Sequence, residues 1–140
     1  MIIIKYLILG LGTSLLFPPY FILPLGFIIF PFFCYLLDQD LIKSKNKKIF
    51  LKSFSYSIAF FTSYLIWIKN PFLIFQEMNY LIFLSFFLII LLALIFSLIF
   101  TICAYYNKLV PTVFFLPLIL ILSEIAISII FFGFPWFTYS

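Results

Sequence analysis

Tyr80 to Tyr106 reads YLIFLSFFLIILLALIFSLIFTICAYY, 27 consecutive residues without a charge. A hydrophobic helix needs about 20 residues to cross a bilayer, so this run is long enough to span with tilt. Composition around it demands the same solvent. The 140 residues are 67% hydrophobic, 24% aromatic and only 9% charged, with a mean hydropathy of +1.36. Water-soluble domains carry about 25% charged residues to clothe their core, and this chain lacks that shell. The same numbers exclude intrinsic disorder.

Downstream of the long run, Val110 to Phe132 forms another apolar segment, interrupted by Pro117 and containing Glu124, and it leads into Gly133-Phe134-Pro135-Trp136. Upstream, residues 69–79 hold Lys69, Asn70, Glu77 and Asn79 and read as a loop. Before that loop, Ile49 to Ile68 is apolar and closes with Trp67, an amphipathic side chain suited to a membrane interface. Residues 38–48 form a polar loop, and the basic cluster of Lys43, Lys45, Lys47, Lys48 and Lys52 runs through it and just beyond. Tyr20 to Leu37 carries Pro24 and Pro31, each removing an N–H, which a span tolerates where neighbours satisfy the freed carbonyls. Finally, Ile2 to Phe17 is stopped by Pro18-Pro19 and at about 1.5 Å per residue reaches roughly 24 Å. A signal peptide starts similarly, but no A-x-A-like cleavage site follows and a second apolar run begins at once.

The expectation is an all-α, polytopic transmembrane helix bundle of about five spans, at residues 2–17, 20–37, 49–68, 80–106 and 110–132. A cytoplasmic N-terminus puts seven of the eight lysines on the inner side, as the positive-inside rule requires, with loop 38–48 inside and loop 69–79 outside. The net charge of +4 then reads as orientation, with binding of anionic headgroups by the lysine cluster as the competing reading. Cys34 and Cys103 fall near cytoplasmic ends, each without a second thiol at ligand spacing, and read as small membrane hydrophobes.

The inventory narrows the chemistry. With no His and no Arg, the usual general base, the commonest metal ligand and the bidentate phosphate clamp are missing. No phosphate loop is present, and no basic run interleaved with stacking aromatics for nucleic acid. No metal site and no cofactor are expected. Glu124 is the sharpest residue, because an acid inside an apolar span is costly when ionised. It reads either as an intramembrane functional site or as a protonated carboxyl bonded to a neighbouring helix, with Ser123 and Ser128 as local partners. Lys69 with Glu77 has an acid/base reading, set against that of an inert solvated loop.

Three motifs at the proposed outer ends go further. Phe17-Pro18-Pro19-Tyr20-Phe21-Ile22-Leu23-Pro24-Leu25 follows a Gly-containing first helix; Trp67-Ile68 closes the third span; and Glu124 precedes Gly133-Phe134-Pro135-Trp136 by nine residues. In order and spacing the chain resembles apolipoprotein N-acyltransferase, through the family's F-x-P-[YF]-x-x-x-P-[LA], W-[IV] and E-[WF]-L-R-G-x-x-x-x-G-F-P-W patterns. It departs at Ile125 and Ile127, where the family has an aromatic and an Arg, and in a third span with Phe, Thr and Ser in place of Gly.

The resemblance implies a bacterial inner-membrane enzyme that moves an acyl chain from a phospholipid to the N-terminal diacylglyceryl cysteine of a lipoprotein. Family members continue into a periplasmic nitrilase-like domain bearing a Glu-Lys-Cys set, so these residues are expected to be the membrane portion only, with no catalytic residue and no activity alone. By the same resemblance Phe17, Pro19, Trp67, Glu124, Phe134 and Trp136 are expected to rim a lateral portal for the two lipid substrates. The alternative is a small non-enzymatic membrane protein, such as a transporter subunit or an assembly scaffold.

Overall fold

The computed structural model describes residues 2–18, 20–43, 46–74, 80–106 and 112–130. All regular structure among them is helical: α1 (Ile2–Ser14), α2 (Gly26–Lys43), α3 (Asn46–Leu65), the short α4 (Asn70–Ile74), α5 (Ile82–Tyr106) and α6 (Thr112–Ile130). Two stretches, Lys48–Ile74 and Ile82–Ala104, are long and apolar enough to cross a membrane. The apolar parts of the other helices are shorter, at Ile3–Ser14, Leu23–Leu37 and Pro117–Ile130.

Helix ends do not follow the ends of the apolar runs. The loop expected at 38–48 is largely helical, since α2 continues to Lys43 and α3 begins at Asn46. Lys and Leu are good helix formers, and a helix has no reason to stop where its side chains turn polar. The segment expected from Tyr20 starts instead as a 3₁₀ turn at Leu23–Leu25 and becomes α-helical at Gly26. Neither Pro31 nor Pro117 ends its helix.

The residues in contact give the helix directions. Tyr6 meets Phe33 with ring centroids 6.2 Å apart, while a Cβ on Gly12 would lie 3.0 Å from Ile29, so α1 and α2 are antiparallel. Gly10 lies against Ala59 and Ser14 against Ser63, so α1 and α3 run parallel. Ser57 faces Ser97, whereas Leu65 and Ile66 share a cleft with Ser85 and Ile89, making α3 and α5 antiparallel. Helix α6 packs on α5 and α2. The start of α1 and the start of α3 therefore lie at one end of the bundle, and the α1–α2 turn, the end of α3 and the start of α5 at the other.

Helix α3 is the centre, and small residues let its neighbours approach. Lipid is as apolar as Leu, so hydrophobicity does not drive helices together there; close packing and hydrogen bonds do. Along α3, Ser55, Ala59 and Ser63 recur every four residues, with Ala59 and Ser63 against α1, and Ser53 and Ser57 form a second stripe, with Ser57 against α5. Gly10 sits so close to α3 that an added Cβ would collide with the Tyr56 carbonyl and lie 3.0 Å from both Ala59 Cβ and Phe60 N.

Buried hydroxyls are satisfied in this seam. Thr13 donates to the Leu9 carbonyl at 2.8 Å and accepts from Tyr56 at 3.2 Å. The Ser14 and Ser63 hydroxyls are hydrogen-bonded at 2.8 Å across the two helices. Ser57 and Ser97 are tied back to the Ser53 and Ala93 carbonyls at 2.6 Å each. Around them is an aromatic core drawn from four helices. Phe33 stacks on Tyr56 at 4.6 Å, and Phe96 lies 5.8 Å from Tyr56 and 6.3 Å from Phe100. Such pairs contribute about 0.5–1.5 kcal/mol each beyond their burial.

Candidate functional site

Two of the motif elements come together at the end of the bundle opposite the starts of α1 and α3. Pro18 ends α1 because it has no N–H to donate and disfavours helix in the residue before it. The chain first tightens, with Leu16 and Phe17 N–H donating to the Thr13 and Ser14 carbonyls at 3.1 and 3.2 Å. The Phe17 carbonyl then accepts from both Tyr20 and Phe21, at 3.1 and 3.2 Å, and Ile22 N–H reaches back to Leu15 at 3.0 Å. Closing this loop puts Phe21 at φ 50°, a left-handed conformation that costs a non-glycine residue about 1–2 kcal/mol.

The strained turn seats Phe17 on α3. Its ring packs edge-on to Phe60 at 5.6 Å and at a tilt to Tyr64 at 5.3 Å. Just beyond, α3 tightens into a 3₁₀ turn, Ile66–Lys69, capped by the Asn70 N–H donating to the Trp67 carbonyl. Trp67 itself is 55% exposed. Between this turn and the start of α5 is a cleft of about 70 Å³, walled by Leu65, Ile66, Phe86 and Ile89, with Thr62, Ser85 and half-buried Lys69 also on its lining.

Glu124 lies on α6, half-buried beside buried Ser123 and Ile127. The Ser123 hydroxyl donates to the Leu120 carbonyl at 2.8 Å, so its proton is not directed to Glu124. Ile127, at the position of the resembled family's Arg, is buried in the core. Pro19, Phe134 and Trp136 lie outside the described residues. Cys34 and Cys103 are unpaired thiols on α2 and α5, and the described residues hold no group of three or more His, Cys, Asp or Glu.

What the sequence reading missed is the small-residue seam: Gly10 and Ser14 on α1, Ala59 and Ser63 on α3, Ala93 and Ser97 on α5. Its signal was a four-residue repeat of small side chains, hidden among much larger apolar ones. The polarity pattern is also inside-out. Helix α5 buries Ser85 and Ser97 while exposing Phe83, Phe87, Ile90, Leu94, Leu98 and Ile102, the reverse of a helix packed in water.

A helical bundle that hides hydroxyls and turns Phe and Ile outward, with two stretches long enough to cross a bilayer, is a membrane protein. Comparison of sequences names its family. Residues 9–140 match the apolipoprotein N-acyltransferase N-terminal domain, and the chain belongs to that family. No curated protein and no solved structure matches it.

Proposed function

We propose that this chain is the membrane portion of an enzyme that transfers an acyl chain from a phospholipid to the α-amino group of a lipoprotein's N-terminal diacylglyceryl cysteine, the last step of lipoprotein maturation. The family match across residues 9–140 is the observation that carries this reading. The reaction proceeds in two halves: a cysteine thiolate attacks an ester carbonyl of the phospholipid and expels a lysophospholipid, and the lipoprotein amine then attacks the thioester and returns the thiolate. The nucleophile belongs to a nitrilase-like domain outside these residues. Cys34 and Cys103 lie within membrane helices and have no part in it.

In this scheme the bundle sits in the bacterial inner membrane with five spans and a cytoplasmic N-terminus, and holds the catalytic domain against the outer leaflet. Phe17, Pro19, Trp67, Glu124, Phe134 and Trp136 rim the path by which both lipids enter. Their support is the motif pattern, together with the strained turn that seats Phe17 on Phe60 and Tyr64, within two helical turns of Trp67.

The test begins with the DNA beyond the Ser140 codon, which is expected to encode further spans and a Glu-Lys-Cys set. In vesicles containing a labelled phospholipid and a diacylglyceryl peptide, the longer product is expected to yield triacylated peptide and the 140-residue chain none. A triacylated product from the 140-residue chain would overturn this division of labour. A native stop codon after Ser140, with a stable product, favours the non-enzymatic membrane protein instead.

A further inference from the structure

Between Lys5 and Asp38 the chain has no charged residue, so the connection from α1 to α2 is as apolar as the helices it joins. Turns that meet water draw on Gly, Asn, Asp and Ser, and Phe17 to Leu25 contains none of these. Tyr20, Phe21, Ile22 and Leu23 point outward instead, each 46–67% exposed.

The backbone of this turn is built for the same solvent. Pro18, Pro19 and Pro24 have no N–H. Every other N–H from Leu15 to Gly26 donates to a carbonyl of the turn or of its flanking helices, the longest reach being Ile22 to Leu15 at 3.0 Å. Water would satisfy such donors by itself; hydrocarbon satisfies none, so a backbone within it must use its own carbonyls.

Helix α3 gives the depth. From Lys48 to Lys69 it and its 3₁₀ turn rise about 32 Å, close to the roughly 30 Å hydrocarbon core, and Trp67 marks the interface at the Lys69 end. Ser14 is bonded to Ser63, six residues before Lys69, and so lies about 9 Å below that level. The Phe17 ring is held against Phe60 and Tyr64. Tyr20 and Phe21 are tied to the Phe17 carbonyl and Ile22 to Leu15, which leaves the turn no reach to climb to Lys69.

We propose that α1 and α2 form a re-entrant hairpin whose turn, Pro18 to Leu23, is immersed among the acyl chains of the leaflet on the Trp67 side and does not reach water. The five-segment arrangement is thereby refined: the first two segments enter and leave at the Lys5 end, and the sidedness of α3 and α5 is unchanged. The hairpin rests on the membrane reading of the chain and not on acyl transfer. Its test measures depth without any substrate, so it stands or falls separately from the acyltransferase proposal.

In a chain whose Cys34 and Cys103 are replaced by Ala, a nitroxide is attached in turn to Ile22→Cys, Leu23→Cys, Ile8→Cys and Asn70→Cys. The native side chains at all four positions are exposed, so no label enters the core. Each variant is placed in vesicles of phosphatidylethanolamine and phosphatidylglycerol, and relaxation of the label by oxygen, which concentrates in hydrocarbon, is compared with that by a water-soluble nickel chelate. The oxygen-to-chelate ratio is expected to exceed unity at Ile22 and Leu23, as at mid-helix Ile8, and to fall below unity at Asn70. A ratio below unity at Ile22 and Leu23 puts the turn in water and overturns the proposal. Weak relaxation by both agents there also overturns it, and makes protein the cover of the turn.

Discussion

At Gly10 the absence of a side chain lets two backbones touch. Any Cβ there meets the Tyr56 carbonyl, and a carbonyl in a continuous helix cannot swing aside as a side-chain end does. Gly10→Val is therefore expected to push α1 off α3 and cost about 1–3 kcal/mol, read as a lower Tm in detergent. Ser14→Ala, which removes the hydroxyl that bridges to Ser63 and also bonds the Leu11 carbonyl of its own helix, is expected to cost about 0.6 kcal/mol. Equal losses from the two would mean that close approach is not what holds this seam. Phe21 poses the opposite case: it is 62% exposed and strained at φ 50°. Glycine adopts that conformation freely, so Phe21→Gly is expected to leave Tm unchanged or raise it. Phe21→Ile, β-branched, is expected to lower Tm by the same measurement.

Helices α3 and α5 differ in how much of their packing can be read from sequence. In α3 the serines and Ala59 stand out against Phe, Tyr and Ile, and both small-residue stripes turn out to be interfaces. In α5 nearly every position is large and apolar, so hydrophobicity by itself names no inner face; Ser85, Ala93, Ser97 and Thr101, spaced by multiples of four, mark one. The contrast predicts an asymmetry between adjacent positions. Ser97 is fully buried and faces Ser57, so Ser97→Leu is expected to cost about 1–3 kcal/mol by overpacking. Leu98 is 53% exposed, and lipid or detergent fills the space it leaves, so Leu98→Ala is expected to change stability by less than about 0.5 kcal/mol. Thermal unfolding of both variants in one detergent checks the pair; a larger loss at Leu98 would mean that the outward face of α5 is covered by protein.

For the whole molecule, orientation is the testable quantity. The helix directions put the starts of α1 and α3, with Lys5, Lys48 and Lys52, at one end of the bundle, and the orientation proposed from the positive-inside rule has that end in the cytoplasm. Lys45→Cys, in a chain whose Cys34 and Cys103 are replaced by Ala, is expected to react with a membrane-impermeant maleimide only after the cells are opened. Labelling of intact cells would reverse the proposed topology and move Phe17, Trp67 and Lys69 to the inner face.

Much of this protein was legible in its residues taken one run at a time. Uncharged stretches such as Tyr80 to Tyr106 specified a lipid solvent and helices, because a backbone in hydrocarbon must satisfy its own hydrogen bonds. The spacing of Phe17, Trp67 and Glu124 pointed to the family that the comparison then showed. The ends of the helices were less legible: the polar stretch after Leu37 looked like a loop, and α2 runs on to Lys43. Only the tertiary structure decided which side of each helix meets protein, that Gly10 is where two backbones approach, and that Lys69 shares a cleft with Phe86. The reason is physical. Burial in lipid depends on apolar content, which adds up along a segment, whereas packing between equally apolar faces depends on shape, which exists only once the helices are side by side.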